Sequence, residues 1–334
     1  MKYAKIICAT LILIFVAALS GCGTAEEKAK TIAICFPNTS PSWERNGSAM
    51  QRLLEEENFI VDMYYAKIDS EQLQQFQEAV SKKVDCIVTC TVGDHDIHAE
   101  NFALAKKNDI PIIIFDEFVK NDNITYYTSF DNNAIGEATG EYFTTVLNLR
   151  HGGGPYNIEF FSGTDAFLNG TMDILEPYIR SGQLICRSGQ TTFEQTAVKD
   201  WNPENARTRI RELLNRYYTD APLNVVISPN DDISGAIIEE IEKAGKPYPL
   251  ISGLDGEPAA FQRIREGKQT FTIAKDPNIL AAKCVRMIKA VVEGTQPDIN
   301  DVTNYNSGTR FIPSYLCTPL IVDKSNIDTV TNKY

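Results

Sequence analysis

Positive charge is in short supply in this 334-residue sequence: 32 Lys and Arg stand against 44 Asp and Glu, a formal net charge of −12. Phosphate backbones are gripped by basic surfaces, so this acidic balance argues against nucleic-acid binding, and no basic, helix-turn-helix-like segment precedes Lys30. Histidines number three, and no Ser-His-Asp or Cys-His set falls in a recognisable frame; paired acids alone do not make a glycosidase, so the chain is not read as an enzyme. Low-complexity sequence is missing after the first thirty residues, as is any short-period repeat. What is present is ordinary for a folded protein: 43% apolar and 23% charged residues, enough for sizeable cores, over a length that suggests two domains.

The first thirty residues differ from the rest. Lys2 and Lys5 precede an apolar run, Ile6 to Val16, that is short for a membrane span of about 20 residues and reads as a secretory signal. Leu19-Ser20-Gly21-Cys22 resembles a bacterial lipobox. That resemblance implies a signal over residues 1–21, an acylated Cys22 as the first mature residue and a polar tether over 22–30. A durable anchor needs more than one acyl chain, as bacterial lipoproteins carry. Beyond Cys8 and Cys22, six cysteines remain: Cys35, Cys86, Cys90, Cys186, Cys284 and Cys317. Most lie in apolar runs and read as buried thiols, although an exported protein could pair some of them.

After residue 30, short β-branched runs alternate with amphipathic stretches, which predicts parallel sheet covered by helices on both faces. Strands are expected at Thr31–Phe36, Ile60–Tyr65, Cys86–Thr91, Ile110–Phe115 and Ile124–Ser129. A second series follows at Tyr156–Ser162, Leu184–Gln190, Val225–Ser228, Leu250–Gly253 and Thr270–Ala274, with an extended tail over Phe311–Val322. Two doubly wound α/β units in series would face each other across a cleft, and ligands of such sheets sit beyond the carboxyl ends of the strands.

Several stretches carry a family resemblance: Tyr126-Tyr127-Thr128-Ser129-Phe130-Asp131-Asn132, Leu175-Glu176-Pro177-Tyr178, Trp201-Asn202-Pro203, Ser228-Pro229-Asn230-Asp231, Ile251-Ser252-Gly253-Leu254-Asp255, Ala274-Lys275-Asp276 and Pro313-Ser314-Tyr315-Leu316. In register along nearly the whole mature chain, they resemble the type I periplasmic sugar-binding proteins, more narrowly the ChvE-like multiple-monosaccharide receptors. The resemblance implies two lobes joined by three crossovers, near 129–131, 272–275 and 313–318. One lobe would comprise 31–129 plus 275–310, the other 131–272 plus 311–334. It also implies a monomer that closes on one monosaccharide and is read by an ABC permease with its ATPase, without a cofactor or metal. A sugar-sensing receptor that signals to a histidine kinase or chemoreceptor is the alternative.

A pyranose needs an aromatic platform for its apolar face and charged or amide groups around its hydroxyl rim. The two tryptophans, Trp43 and Trp201, are the candidate platforms, one in each lobe. Asn230, Asp231, Asp255 and Lys275 match family positions in the second lobe and at a crossover; Asp231 and Asp255 could equally cap the helices that follow them. Asn38, Thr39, Thr91, Asp94, Asp116 and Glu117 belong by topology to the first lobe's wall, and Asp165 and Asn169 to the opposite rim. Compared with the family pattern, basic residues give way near Thr39 and Ser42, an arginine is replaced at Glu117, and the loop over 162–169 is shortened. The loss of cations points to a neutral hexose or pentose, or secondarily an amino sugar, rather than a sugar acid. His95 and His98 have metal-ligand spacing but are expected to open a helix beside solvent, and Gly152-Gly153-Gly154 precedes a strand, as a turn does and a phosphate cradle does not.

Overall fold

A computed structural model describes residues 29–91 and 98–331; Cys22, Asp94 and His95 lie outside them. The first strand, β1 (Thr31–Pro37), alternates Ile32, Ile34 and Phe36 toward one core and Ala33 and Cys35 toward another, all of them fully buried. A strand apolar on both faces must be covered on both. It pairs in parallel with β2 (Ile60–Ala66) and with β3 (Cys86–Thr89), which continues to β4 (Ile112–Phe115) and β5 (Tyr126–Phe130). Helices α1 (Pro41–Glu56) and α2 (Asp69–Lys82) follow β1 and β2, and α3 (Ala99–Lys107) lies between β3 and β4 in the chain. Phe76, Ala79 and Val80 of α2 and Phe102 and Ala105 of α3 seal the Ala33 face; Met50 and Leu54 of α1 help seal the other.

The chain then crosses over, and Asp131 caps α4 (Asn132–Val146) by accepting from the amides of Asn133 and Ala134. A second parallel sheet runs in the order β7 (Leu184–Ile185), β6 (Tyr156–Phe160), β8 (Val225–Ile227), β9 (Leu250–Ile251). Its long helices are α5 (Asp165–Arg180), α6 (Pro203–Tyr217) and α7 (Asp231–Lys243). Immediately after β9 the strand breaks at Ser252 and Gly253, and β10 (Leu254–Asp255) joins β11 (Phe271–Ala274) in a further three-stranded piece, with α8 (Pro258–Arg265) between them. One continuous strand over 250–253 was expected; instead the pairing passes here from β8 to β11, the Ser252 amide donating to the Val226 carbonyl and the Ile273 amide to the Gly253 carbonyl, while a Cβ on Gly253 would lie 2.0 Å from Asp231 Oδ1.

A second crossover returns the chain to α9 (Pro277–Val292), which packs Leu280, Cys284 and Ile288 into the first core. The tail departs from the expected boundary. β12 (Ser314–Cys317) adds to the first lobe's sheet in parallel with β5, and only after Thr318-Pro319 does β13 (Leu320–Asp323) pair antiparallel with β11 in the second. The first six-stranded sheet therefore reads β12-β5-β4-β3-β1-β2, and residues 314–317 belong to it. An alternating extended segment suits the edge of either sheet, so its pattern alone did not say which.

All six described cysteines are unpaired; only Cys186 is less than fully buried. Burial pushes the Cys35 thiol up to about 12, with Asp62 and Glu78 adding to it. Cys86, Val88 and Cys90 share a face, as their spacing in a strand requires.

Helices α4 and α5 touch backbone to backbone. A Cβ on Gly136 would lie 2.2 Å from the Phe167 carbonyl, and one on Gly170 would lie 2.1 Å from the Asn133 carbonyl. Neither backbone atom can move aside as a flexible side chain could. Gly170→Ala is therefore expected to destabilise the protein by about 1–3 kcal/mol, the usual range for overpacking, seen as a lower urea midpoint at unchanged m-value; an unshifted midpoint would contradict this packing.

Candidate functional site

Among the described residues, nine other than glycine have positive φ. Four of them, Asn58, Lys83, Asp109 and Asn148, end or follow helices, where the left-handed conformation terminates the spiral. Of the other five, Asn38 and Asp116 stand just past β1 and β4, Asp255 ends β10, and Asp200 and Trp201 lie in the short helical turn before α6. Backbone held in such regions collects at functional sites, and a tryptophan there is rarer than an asparagine or aspartate.

At the floor of the gap, Lys275 Nζ stands 3.4 Å from Asp116 Oδ1 of the first lobe and 3.7 Å from Asp255 Oδ1 of the second. Phe130, Ser42, Arg45 and Asn46 line the same hollow. Asp116 sits one residue past β4 at φ 67°, and its carbonyl accepts hydrogen bonds from Tyr127 Oη at 2.6 Å and Ser129 Oγ at 2.8 Å. Two buried hydroxyls on β5 thus hold the kink that turns this side chain toward the lysine.

Asp255, at φ 97°, is presented in a comparable way. Behind it, the Asp231 carboxylate is fully buried and accepts from Gln269 Nε2 and Thr272 Oγ1, both at 2.8 Å, and from the Glu257 amide at 2.9 Å. Thr272 Oγ1 in turn accepts from the Gly256 amide at 3.3 Å. The turn carrying Asp255 is therefore pinned from within the second lobe. This corrects the expectation that Asp231 faces the gap: in this conformation it has no accessible surface, and it fixes the turn that does. Its place at the first position of α7, right after a strand end, is shared by cleft-facing and inward-facing aspartates alike.

The charges follow from this setting. Burial pushes the Asp255 carboxyl up to about 6, with Lys275 opposing and Asp116 adding to the rise. Lys275 is held above the usual lysine value: burial works against its charge, but Asp116 and Asp255 outweigh that. Glu117 is exposed, yet the surrounding protein, aided by Asp116 and opposed by Lys275, raises it to about 7. An accessible group with crowded surroundings is what a concave wall produces.

The remaining expected contacts are distributed around this centre. Trp43 is half-buried at the start of α1, its ring 5.0 Å from Phe36 and 6.4 Å from Phe115. Trp201 is half-buried on the second lobe, its indole laid over Gly163, where a Cβ would come within 2.0 Å of the ring. Asn38 and Thr39 are exposed beyond β1, and Thr91 is buried just past β3. Asn230 caps α7, its side chain accepting from the Ile233 amide. Asp165 and Asn169 are exposed in the first turns of α5, which begins earlier than expected and shortens the loop before it. His98 does not stand beside solvent as expected; it is buried and stacks 6.2 Å from Phe102. Arg45 and Glu257, not singled out from the sequence, face each other from opposite lobes at 2.6 Å; their separation of 212 positions gave no signal.

Two α/β lobes, three chain crossings and a charged hollow between them make the two-lobed architecture of a binding protein. The chain belongs to the periplasmic binding protein domain family, which matches residues 32–296. It is 33% identical over 90% of its length to the multiple sugar-binding periplasmic receptor ChvE of Rhizobium radiobacter, covering 88% of that protein. It is 32% identical over 91% of its length to the multiple sugar-binding periplasmic protein SbpA of Azospirillum brasilense, again covering 88%. Among solved structures it resembles an ABC transporter solute-binding protein of Clostridium phytofermentans with bound β-D-glucose, at 31% identity and a TM-score of 0.85, over 90% of this chain and 96% of that one.

The burial of Asp231 sets a pH dependence. Burial raises its carboxyl to about 7, Asp255 adding and the bonds from Glu257, Gln269 and Thr272 opposing. The folded state then keeps a proton that an unfolded aspartate loses near pH 4, so this group's contribution to stability declines as pH rises from about 4 to about 7. Relative to Asp231→Asn, which has no such titration, the wild type is expected to lose up to about 1.4 kcal/mol per pH unit across that window. Urea unfolding of both proteins at pH 4, 5, 6 and 7 measures it; parallel stability curves would rule it out.

Proposed function

We propose that this protein is the extracytoplasmic substrate-binding component of an ABC sugar importer, lipid-anchored through Cys22, and that it captures a neutral monosaccharide by closing its two lobes. The observation that carries the reading is the meeting of Asp116 and Asp255, one from each lobe, on Lys275 at the crossover. Carboxylates accept hydroxyl protons in charge-assisted bonds, the ammonium donates, and closure removes competing water. The half-exposed indoles of Trp43 and Trp201 supply flat apolar surfaces on either side, suited to the C–H faces of a pyranose. The named ligands of the relatives, sugars in each case, support the same ligand class.

The charge balance refines that class. Asp116, Asp255 and Glu117 outnumber Lys275 at the floor, and Arg45 is already matched by Glu257. A sugar carboxylate would enter without a free cation to receive it, whereas a neutral hexose or pentose brings only hydroxyls.

Titration calorimetry at pH 7 with D-glucose, D-galactose, D-xylose and D-galacturonate tests both statements. At least one neutral sugar is expected to bind and galacturonate not to. Trp201→Ala and Asp255→Asn should each weaken binding by about 10-fold or more, in line with losing a stacking face or a charged hydrogen bond. Tight galacturonate binding, or full affinity in both variants, would overturn the reading.

A further inference from the structure

The Arg45–Glu257 contact joins the two lobes directly. Arg45 projects from α1, whose neighbouring Ser42 and Asn46 line the hollow, and its Nη2 lies 2.6 Å from Glu257 Oε1. Glu257 precedes α8 on the second lobe. Its side chain is less exposed than that of the arginine, 23% against 42%. Its main chain is already fixed, since its amide donates to buried Asp231, which Gln269 and Thr272 hold in turn. The same turn carries Asp255. With its main chain fixed, Glu257 has only side-chain freedom to lose when the arginine reaches it.

We propose that Arg45 and Glu257 form a latch across the cleft that favours the closed arrangement of the lobes. They are positioning residues: neither has to touch the ligand, but together they bias the lobes toward closure. A latch of this kind raises apparent affinity by enlarging the population of the binding-competent form. Because the pair is partly exposed, its strength is modest and depends on salt. The proposal rests on lobe closure and not on which molecule the cleft takes.

Single-molecule FRET between dyes on the outer faces of the two lobes reads the closed-to-open ratio of the ligand-free, full-length protein. Arg45→Gln and Glu257→Gln are each expected to lower that ratio about two- to five-fold, the range for a partly exposed pair. The double variant should open no further than either single one, since the two changes remove one interaction. Raising NaCl to about 1 M should open the wild type and leave Glu257→Gln unchanged. Unaltered ratios, or effects that add in the double variant, would overturn the latch. D-glucose titration of the same proteins forms a separate arm: if glucose binds, its affinity should fall by the same factor as the closed population. If no sugar binds, the proposed ligand class fails while the FRET arm still decides the latch.

Discussion

The ammonium of Lys275, set between carboxylates from the two lobes, is the interaction around which the cleft is organised. Asp116 and Asp255 have each been brought into partly desolvated space, where a lone negative charge is unfavourable and two facing each other more so. The lysine relieves both, and its own charge survives burial only because they are there. Removing any one of the three leaves the others badly matched. The triad still sums to a net negative charge, and among the described residues the Asp255 carboxylate has no side-chain donor nearer than Lys275 at 3.7 Å. That combination of cohesion and spare acceptor capacity is what a receptor for hydroxyl-rich molecules needs.

Each carboxylate depends on a second layer. Asp116 and Asp255 both stand where the main chain leaves a strand in a conformation that side chains seldom adopt. In the first lobe, Tyr127 and Ser129 donate to the Asp116 carbonyl; in the second, Asp231 accepts the Glu257 amide and Thr272 the Gly256 amide, while Gln269 and Thr272 donate to Asp231 from behind. The two arrangements use opposite chemistry, donors beneath one turn and acceptors beneath the other, to the same end. Glycine completes the second: at position 253 no side chain would fit beside Asp231, just where the pairing passes from β8 to β11.

This layering explains which features were legible in the sequence. Strands such as Thr31–Pro37 and helices such as Pro203–Tyr217 announced themselves because burial on a fixed period must be written into consecutive residues. The cleft residues at strand ends were legible through topology, since the loops of a doubly wound sheet open on one side. Whether an aspartate there points out or in was not, because Asp231 and Asp255 occupy similar local sequence and differ only in distant partners, Gln269 and Thr272 for one and Lys275 for the other. The sheet that claims 314–317 was hidden for the same reason, as was Arg45 opposite Glu257. Local pattern encodes elements; contacts across long stretches of chain decide which side chain supports and which one meets the ligand.

The placement of the two interlobe charge clusters has a mechanical meaning. Lys275 lies at a chain crossing, one residue beyond β11, where rotation of one lobe on the other moves atoms least. On the proposed closure, its pairing with Asp116 and Asp255 would be little changed as the lobes part. Arg45 and Glu257 project from a helix and a turn outside the crossings, so the same rotation would separate them further. A charge cluster near a pivot holds a cleft's floor together, whereas one away from it distinguishes open from closed. For the proposed latch, the division of roles follows from lever arm rather than from the strength of either contact.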